Sequence, residues 1–218
     1  MSTSSLKPLT LHGKAGPNPP KCAMLMKELS IPFEYGPTGF QDIKKPDYLA
    51  INPNGRLPTL LDPNTGITIW ESGAIMEYLV ETYDKNHSLS FPAGSKEYYA
   101  AKQWLFFQVS GQGPYFGQYV WFIKFHPEEV KSAKERYMGE IKRVAGVVEG
   151  HLEKEGDWLV GGKYSYVDLA WLMWFNVVEK FTGDKEVLDL GEWPKVKAWL
   201  GRIAERKAVK EVLEGLPH

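Results

Sequence analysis

Pro58 and the pair Glu71-Ser72 are the residues whose types and spacing promise chemistry. They lie in Asn52-Pro53-Asn54-Gly55-Arg56-Leu57-Pro58-Thr59-Leu60 and in Ile69-Trp70-Glu71-Ser72-Gly73-Ala74. Proline has no backbone N–H to donate and is among the few residues for which a cis peptide is cheap. A Leu57-Pro58 bond ahead of an apolar strand therefore turns Leu57 outward. Leu57 then offers its own N–H and C=O to an extended, peptide-like ligand, in the manner of strand addition. Glu71-Ser72 stands where the short strand Ile67-Thr68-Ile69 gives way to Ile75, Met76, Leu79, Val80 and Tyr83, whose spacing is helical. A hydroxyl and backbone N–H groups at a helix start attract a carboxylate, while Glu71 pairs with an ammonium. Together they suit an α-amino acid end, which carries both charges. Each motif alone reads as ordinary structure, a turn at Pro58 and a cap at Glu71-Ser72. The two at this spacing favour a ligand site.

A third candidate sits earlier, in Gly16-Pro17-Asn18-Pro19-Pro20, between the first strand and the first helix. Asn is a favoured N-cap and Pro a favoured first helical residue, so Asn18 is expected to cap a helix beginning at Pro19. A thiol placed there meets the positive end of the helix dipole and an amide that can donate to it, an environment that lowers a thiol pKa. Two prolines remove N–H groups that usually help, which shifts the burden to Asn18 and Lys21. The plainer alternative is that Asn18 only caps the helix. Cys22, one turn into the helix and on its apolar stripe, reads as a small buried hydrophobe rather than a nucleophile.

These residues need a scaffold, and the first 84 residues alternate strand and helix signals in the manner of an α/β unit. Leu9-Thr10-Leu11-His12 reads as a strand. Cys22, Leu25, Met26 and Leu29 mark one helical face, Ile31 to Tyr35 a second strand, and Pro46 to Ala50 a short helix or turn. Thr59-Leu60-Leu61 and Ile67-Thr68-Ile69 flank the turn-rich Asp62-Pro63-Asn64-Thr65-Gly66. The expected order is βαβαββα. Lys85 to Ser95, with Pro92 and Gly94, reads as a linker. From Lys96 onward only helical stripes remain: Tyr137, Ile141, Val144, Val148 and Leu152 on one face, and Leu169, Leu172, Met173, Asn176 and Val177 on another. Ser165-Tyr166-Val167-Asp168 has the form of a structural capping box. The division expected is residues 1–88, an α/β ligand-binding domain, and residues 95–218, an all-helical domain.

Composition narrows the function. The chain has 218 residues, with 26 basic and 27 acidic side chains and a net charge of -1, which leaves no electrostatic footprint for nucleic acid or membrane. Met1-Ser2-Thr3-Ser4-Ser5 has no basic n-region, and no later segment reaches the roughly eighteen apolar residues of a membrane span. A cytoplasmic protein is the expectation. One cysteine excludes an internal disulfide, and five scattered histidines give no metal-ligand spacing, so no metal is expected.

Over essentially its full length the sequence resembles the cytosolic glutathione transferases, most closely the fungal and bacterial nu-like branch related to the yeast nitrogen-catabolite regulator that forms prions. The resemblance is carried by Ala15-Gly16-Pro17-Asn18, by the Pro58 and Glu71-Ser72 segments, and by Trp104-Leu105-Phe106-Phe107-Gln108, Glu135-Arg136-Tyr137 and Trp158-Leu159-Val160-Gly161. It implies a thioredoxin-like N-terminal domain followed by a helical domain, in a homodimer. It also implies that Glu71 and Ser72 hold the γ-glutamyl group of glutathione, that Leu57 beside Pro58 holds the cysteinyl backbone, and that Asn18 faces the sulfur. A histidine of the yeast relative that contacts the glycyl end corresponds to Ile43, leaving Lys44 or Lys45 for the glycyl carboxylate. Arg136 is assigned to the glutathione pocket on the same resemblance.

Gly111-Gln112-Gly113-Pro114-Tyr115-Phe116-Gly117-Gln118-Tyr119-Val120-Trp121-Phe122 is expected to break or bend the first helix of the second domain. Its aromatic residues Tyr115, Phe116, Tyr119 and Trp121 suit an apolar second-substrate pocket, with core or dimer interface as the competing reading. The activity implied is conjugation of glutathione to an apolar electrophile, in detoxification. A redox activity is the closest rival. Asn18 stands where a redox relative would carry cysteine, so disulfide or peroxide reduction would use the thiols of bound glutathione. A non-catalytic ligand-binding regulator on the same scaffold is the other alternative. Prion behaviour needs an Asn/Gln-rich arm, and only a few serines and threonines stand at the N-terminus.

Overall fold

The computed structural model describes residues 6–182 and 187–217; the Met1–Ser5 segment, on which the readings of leader and arm rest, lies outside them. The first seven elements run β1 (Leu9–His12), α1 (Asn18–Glu28), β2 (Phe33–Gly36), α2 (Pro46–Leu49), β3 (Thr59–Asp62), β4 (Ile67–Trp70) and α3 (Ser72–Tyr83), the expected βαβαββα order. They build a four-stranded sheet of order β2-β1-β3-β4, with β1 and β2 parallel and the other two pairings antiparallel. A right-handed crossover through α1 is what parallel neighbours require, whereas the Asp62-to-Ile67 turn allows the antiparallel hairpin. Asp62 holds that turn: its carboxylate accepts from the Asn64 N–H at 2.8 Å and from the Tyr78 hydroxyl at 2.6 Å.

Alternation in β1 buries Leu9 and Leu11 and leaves Thr10 and His12 half-buried. With Leu60, Leu25, Met26, Ile75 and Leu79 they form the core of this unit. The strand expected to start at Ile31 starts at Phe33, because Pro32 has no N–H for the ladder and contributes only its C=O, which accepts from Leu9.

Helix α1 departs from expectation at its start. It begins at Asn18, with Pro17 in the cap position and no side-chain cap bond. The reason lies in the prolines: Pro17 has no side-chain acceptor with which to cap, and Pro19 and Pro20 have no N–H to be capped. Its middle is buried on every side, Pro19 through Met26, as it packs against both α3 and α9 (Lys207–Glu214).

The chain forms two compact units, one of residues up to Ser90 together with those from Glu205 onward, the other Phe91–Ala204. The division at residues 88 and 95 placed the last helix with the helical domain, but α9 belongs with the first unit. Glu28 and Lys27 at the end of α1 meet it and its approach, through a two-pronged ion pair with Arg206 and a 2.7 Å pair with Glu211. The stretch read as a linker is also anchored at its start. Asp84 accepts from the N–H and hydroxyl of Ser88, the N–H of Leu89 and the hydroxyl of Ser90 at 2.7–2.9 Å.

The second unit is helical: α4 (Lys96–Phe107), α5 (Gly113–Lys124), α6 (Lys131–Glu155), α7 (Tyr166–Thr182) and α8 (Pro194–Ala204). The expected bend after α4 is a π-helical turn, Gln108–Gln112. Gly111 there faces the Phe107 ring so closely that a Cβ would stand 2.8 Å from it. The Gln112 amide donates to the Trp171 C=O at 3.0 Å and locks the turn onto α7. On α6 the stripe Ile141, Val144, Val148, Leu152 is buried as expected. Helix α7 differs, since Leu169, Ala170, Trp171, Leu172, Met173, Phe175 and Val178 are all buried, whereas Asn176 and Val177 are only half-buried. Helices α4, α5 and α8 all pack against it, so it has no single apolar face. The Ser165 box is structural as expected. The Asp168 carboxylate accepts from Ser165 N–H and hydroxyl, Leu159 N–H and Trp199 Nε1, all within 2.9–3.0 Å. Among the described residues no helix is long and apolar enough to cross a membrane.

Candidate functional site

Sheet register assembles the site. His12 pairs with Thr59 and Thr59 with Trp70, so the end of β1, the start of β3 and the end of β4 lie side by side. Adjacent strands are about 4.8 Å apart. The residues just beyond them, the Gly13–Asn18 loop, Leu57-Pro58 and Glu71-Ser72, are therefore collected at one end of the sheet.

The Leu57-Pro58 peptide is cis, and Pro58 is buried. The loop before it is held from inside. Asn52 Nδ2 donates to Arg56 C=O at 2.8 Å and to Thr59 Oγ1 at 3.0 Å, and the Tyr48 hydroxyl donates to the same Arg56 C=O at 2.7 Å. Gly55 takes φ +59°, and a Cβ there would stand 2.7 Å from the Ile43 C=O, so only glycine fits this approach of the two loops. At the other side Gly13, φ +100°, closes on the loop: a Cβ would be 3.0 Å from both Leu57 Cβ and Pro19 Cγ. Leu57 and the first turn of α1, which carries Asn18, thus share one surface.

Glu71 precedes α3 with φ +73° and ψ +116°, a backbone conformation that non-glycine residues rarely adopt. Its exposed side chain accepts from Asn54 Nδ2 at 3.1 Å and makes no cap bond to the first turn of α3. Ser72 is buried, and its C=O accepts the Cys22 thiol with S···O 3.8 Å. Cys22 is fully buried, and burial pushes its thiol up to about 12, against a smaller downward pull from Lys21. Lys21, also fully buried, is pushed down to about 8 by desolvation, while Cys22 and Glu71 pull it the other way.

The remaining candidates fall as follows. Lys44 Nζ donates to Asn54 C=O at 3.2 Å, beside the Asn54–Glu71 bond, whereas Lys45 is exposed and ion-paired with Asp42 at 2.6 Å. Arg136 lies on α6 of the second unit with its side chain exposed. On α5, Phe116 is fully buried against Phe175 with ring centroids 5.3 Å apart, so its ring is in that unit's core. Tyr119 is also buried, Tyr115 is half-buried, and Trp121 is exposed. Among the described residues no group of three His, Cys, Asp or Glu side chains stands close enough to hold a metal ion. Sequence reasoning missed Asn54, whose bond to Glu71 spans two loops, and the Asn52–Tyr48–Thr59 brace. The Asn-Pro-Asn-Gly run signals a turn, but nothing in it shows what the turn faces.

Comparison with known proteins identifies the family of both parts of the chain. Residues 15–82 match the glutathione S-transferase N-terminal domain and residues 114–207 the glutathione S-transferase C-terminal domain. The chain is 50% identical to the glutathione S-transferase-like protein gedE of Aspergillus terreus, covering 98% of this chain and 97% of that protein. It is 34% identical to the protein URE2 of Candida albicans, covering 93% of this chain and 68% of that protein. Among solved structures, the glutathione transferase URE2P6 of Phanerochaete chrysosporium in complex with oxidized glutathione superposes with a TM-score of 0.89 at 44% identity, covering 96% of both chains. Both halves of the fold are matched, and the chain belongs to the glutathione S-transferase family.

Proposed function

We propose that this protein binds glutathione at the sheet end described above and conjugates it to an apolar electrophile. The observation that carries the reading is the register that sets Asn18, Leu57 and Glu71-Ser72 together, with Asn54 steering the Glu71 carboxylate. Glu71 pairs with the γ-glutamyl ammonium. Ser72 and the start of α3 take its carboxylate, where backbone N–H groups lack a cap side chain. Leu57 pairs with the cysteinyl backbone, and Lys44 is better placed than Lys45 for the glycyl carboxylate, since Lys45 is held by Asp42. Asn18, with the α1 dipole behind it, favours the thiolate. The sulfur then attacks the electrophile, a C–S bond forms, and the leaving group departs with its electron pair. Arg136 and the homodimer enter the proposal on resemblance, and Tyr115, Tyr119 and Trp121 on the aromatic density of their segment, whereas Phe116, fully buried against Phe175, is core. Calorimetry tests the core of it: micromolar to millimolar glutathione binding by the wild type, lost in the Glu71→Ala/Ser72→Ala double variant. Unchanged affinity in that variant defeats the assignment.

A second reading is favoured by URE2P6, a relative solved with oxidized glutathione. Bound glutathione thiolate attacks a mixed disulfide and expels one thiol, and a second glutathione resolves the product, so one disulfide is reduced as two glutathiones become oxidized glutathione. The protein's own thiol is no candidate, because Cys22 is buried and held protonated. Turnover on a mixed disulfide compared with turnover on a chlorodinitrobenzene-type electrophile separates the two. Faster conjugation rejects the redox preference, and no turnover on either favours a binding role.

A further inference from the structure

The loop between β2 and α2 carries an aromatic ring that the roles above leave unused. Phe40 is 59% exposed, a costly placement for a ring worth about 2 kcal/mol when buried. Its loop is nevertheless well held. His12 Nδ1 and Thr38 Oγ1 are 2.8 Å apart, the Gly39 N–H donates to Asp42 Oδ2 at 3.1 Å, and Asp42 also holds Lys45. The tip of the ring lies over Gly16: a Cβ on that residue, whose φ is +85°, would stand 3.1 Å from Phe40 Cζ. Gly13, at the start of the same loop, is closed against Leu57. The segment from Gly13 to Asn18 thus has Leu57 at one end and Phe40 near the other. Two residues of chain span at most about 7 Å, which keeps Asn18 close to the residue under the Phe40 ring.

We propose that Phe40 determines specificity for the group carried on the glutathione sulfur, forming an apolar wall that favours aromatic and alkyl substituents. The inference rests on the glutathione reading above, with the sulfur at Asn18. With the peptide backbone along Leu57 and the sulfur at Asn18, a substituent on that sulfur is within reach of the ring that lies over Gly16. Covering the ring removes apolar surface from solvent, which rewards an S-alkyl or S-aryl group and not the bare thiol.

The test is the ratio of two affinities, measured by calorimetry with glutathione and with S-hexylglutathione on the wild type, Phe40→Ala and Phe40→Trp. Phe40 lies outside the core, so the variants fold, which circular dichroism verifies. The preference for S-hexylglutathione over glutathione is expected to fall about fivefold to tenfold in Phe40→Ala and to be kept in Phe40→Trp. An unchanged ratio in Phe40→Ala, including an equal loss for both ligands, overturns the inference and leaves the glutathione reading standing. A wild type that binds neither ligand overturns both.

Discussion

Asn54 Nδ2 donates to Glu71 Oε1 at 3.1 Å across 17 residues of sequence, joining the loop before the cis proline to the residue that opens α3. Glu71 sits there at φ +73°, a conformation costing on the order of 1–3 kcal/mol. Under the proposed function, that conformation and the Asn54 bond hold the Glu71 carboxylate toward the ligand. Asn54→Ala is expected to weaken glutathione binding by about threefold to tenfold with little change in melting temperature. Glu71→Gly is expected to abolish binding while leaving stability unchanged or raised by about 1 kcal/mol, since glycine tolerates positive φ. Calorimetry and thermal melts on both variants check the pair.

Buried Lys21 makes stability depend on pH. Burial lowers its pKa from 10.5 to about 8, opposed by Cys22 and Glu71. Above pH 8 the folded chain has shed a proton that the unfolded chain keeps, so stability rises with pH. Near pH 9 the unfolded Cys22 thiol begins to ionise while the folded one, at about 12, does not, and the two effects oppose. Urea midpoints are thus expected to rise from pH 8 to 9 in the wild type, and the rise is expected to vanish in Lys21→Met.

Cys22 is expected to be inert in the folded protein. Burial moves its pKa from 9.0 up to about 12, so the reactive thiolate is scarce in the folded protein. A disulfide-exchange thiol reagent should report no reaction over minutes in buffer and one thiol per chain in denaturant. Cys22→Ala is expected to keep glutathione binding.

Asp84 supports the acid side of the stability profile. Burial alone would raise its pKa, but the Ser88 hydroxyl, the Leu89 N–H, the Ser90 hydroxyl and the Ser88 N–H outweigh it, and the carboxyl lies below its usual 3.8. A depressed carboxylate contributes stability that is fully present above the unfolded pKa and lost as pH falls through the folded one. Asp84→Asn replaces a four-bond acceptor and is expected to cost about 2 kcal/mol at pH 7, with the difference from wild type shrinking below pH 4. Chemical denaturation at pH 7 and pH 3 measures both.

Sequence by itself determined the elements and most of the candidate residues. Strand alternation at Leu9 and Leu11, helical spacing after Ser72 and the turn formers Asp62 to Gly66 are local signals, and βαβαββα followed from them. Pro58, Glu71 and Asn18 stood out because their chemistry is unusual for their positions. Tertiary structure decided what local signals do not encode. Only the β1–β3–β4 register brings three loops to one end of the sheet. Only packing buries Lys21, surrounds α7 and returns α9 to the first unit. Only the fold places Asn54 on Glu71 and Phe40 over Gly16, because these pairs are separated along the chain and meet through contacts that no residue pattern specifies.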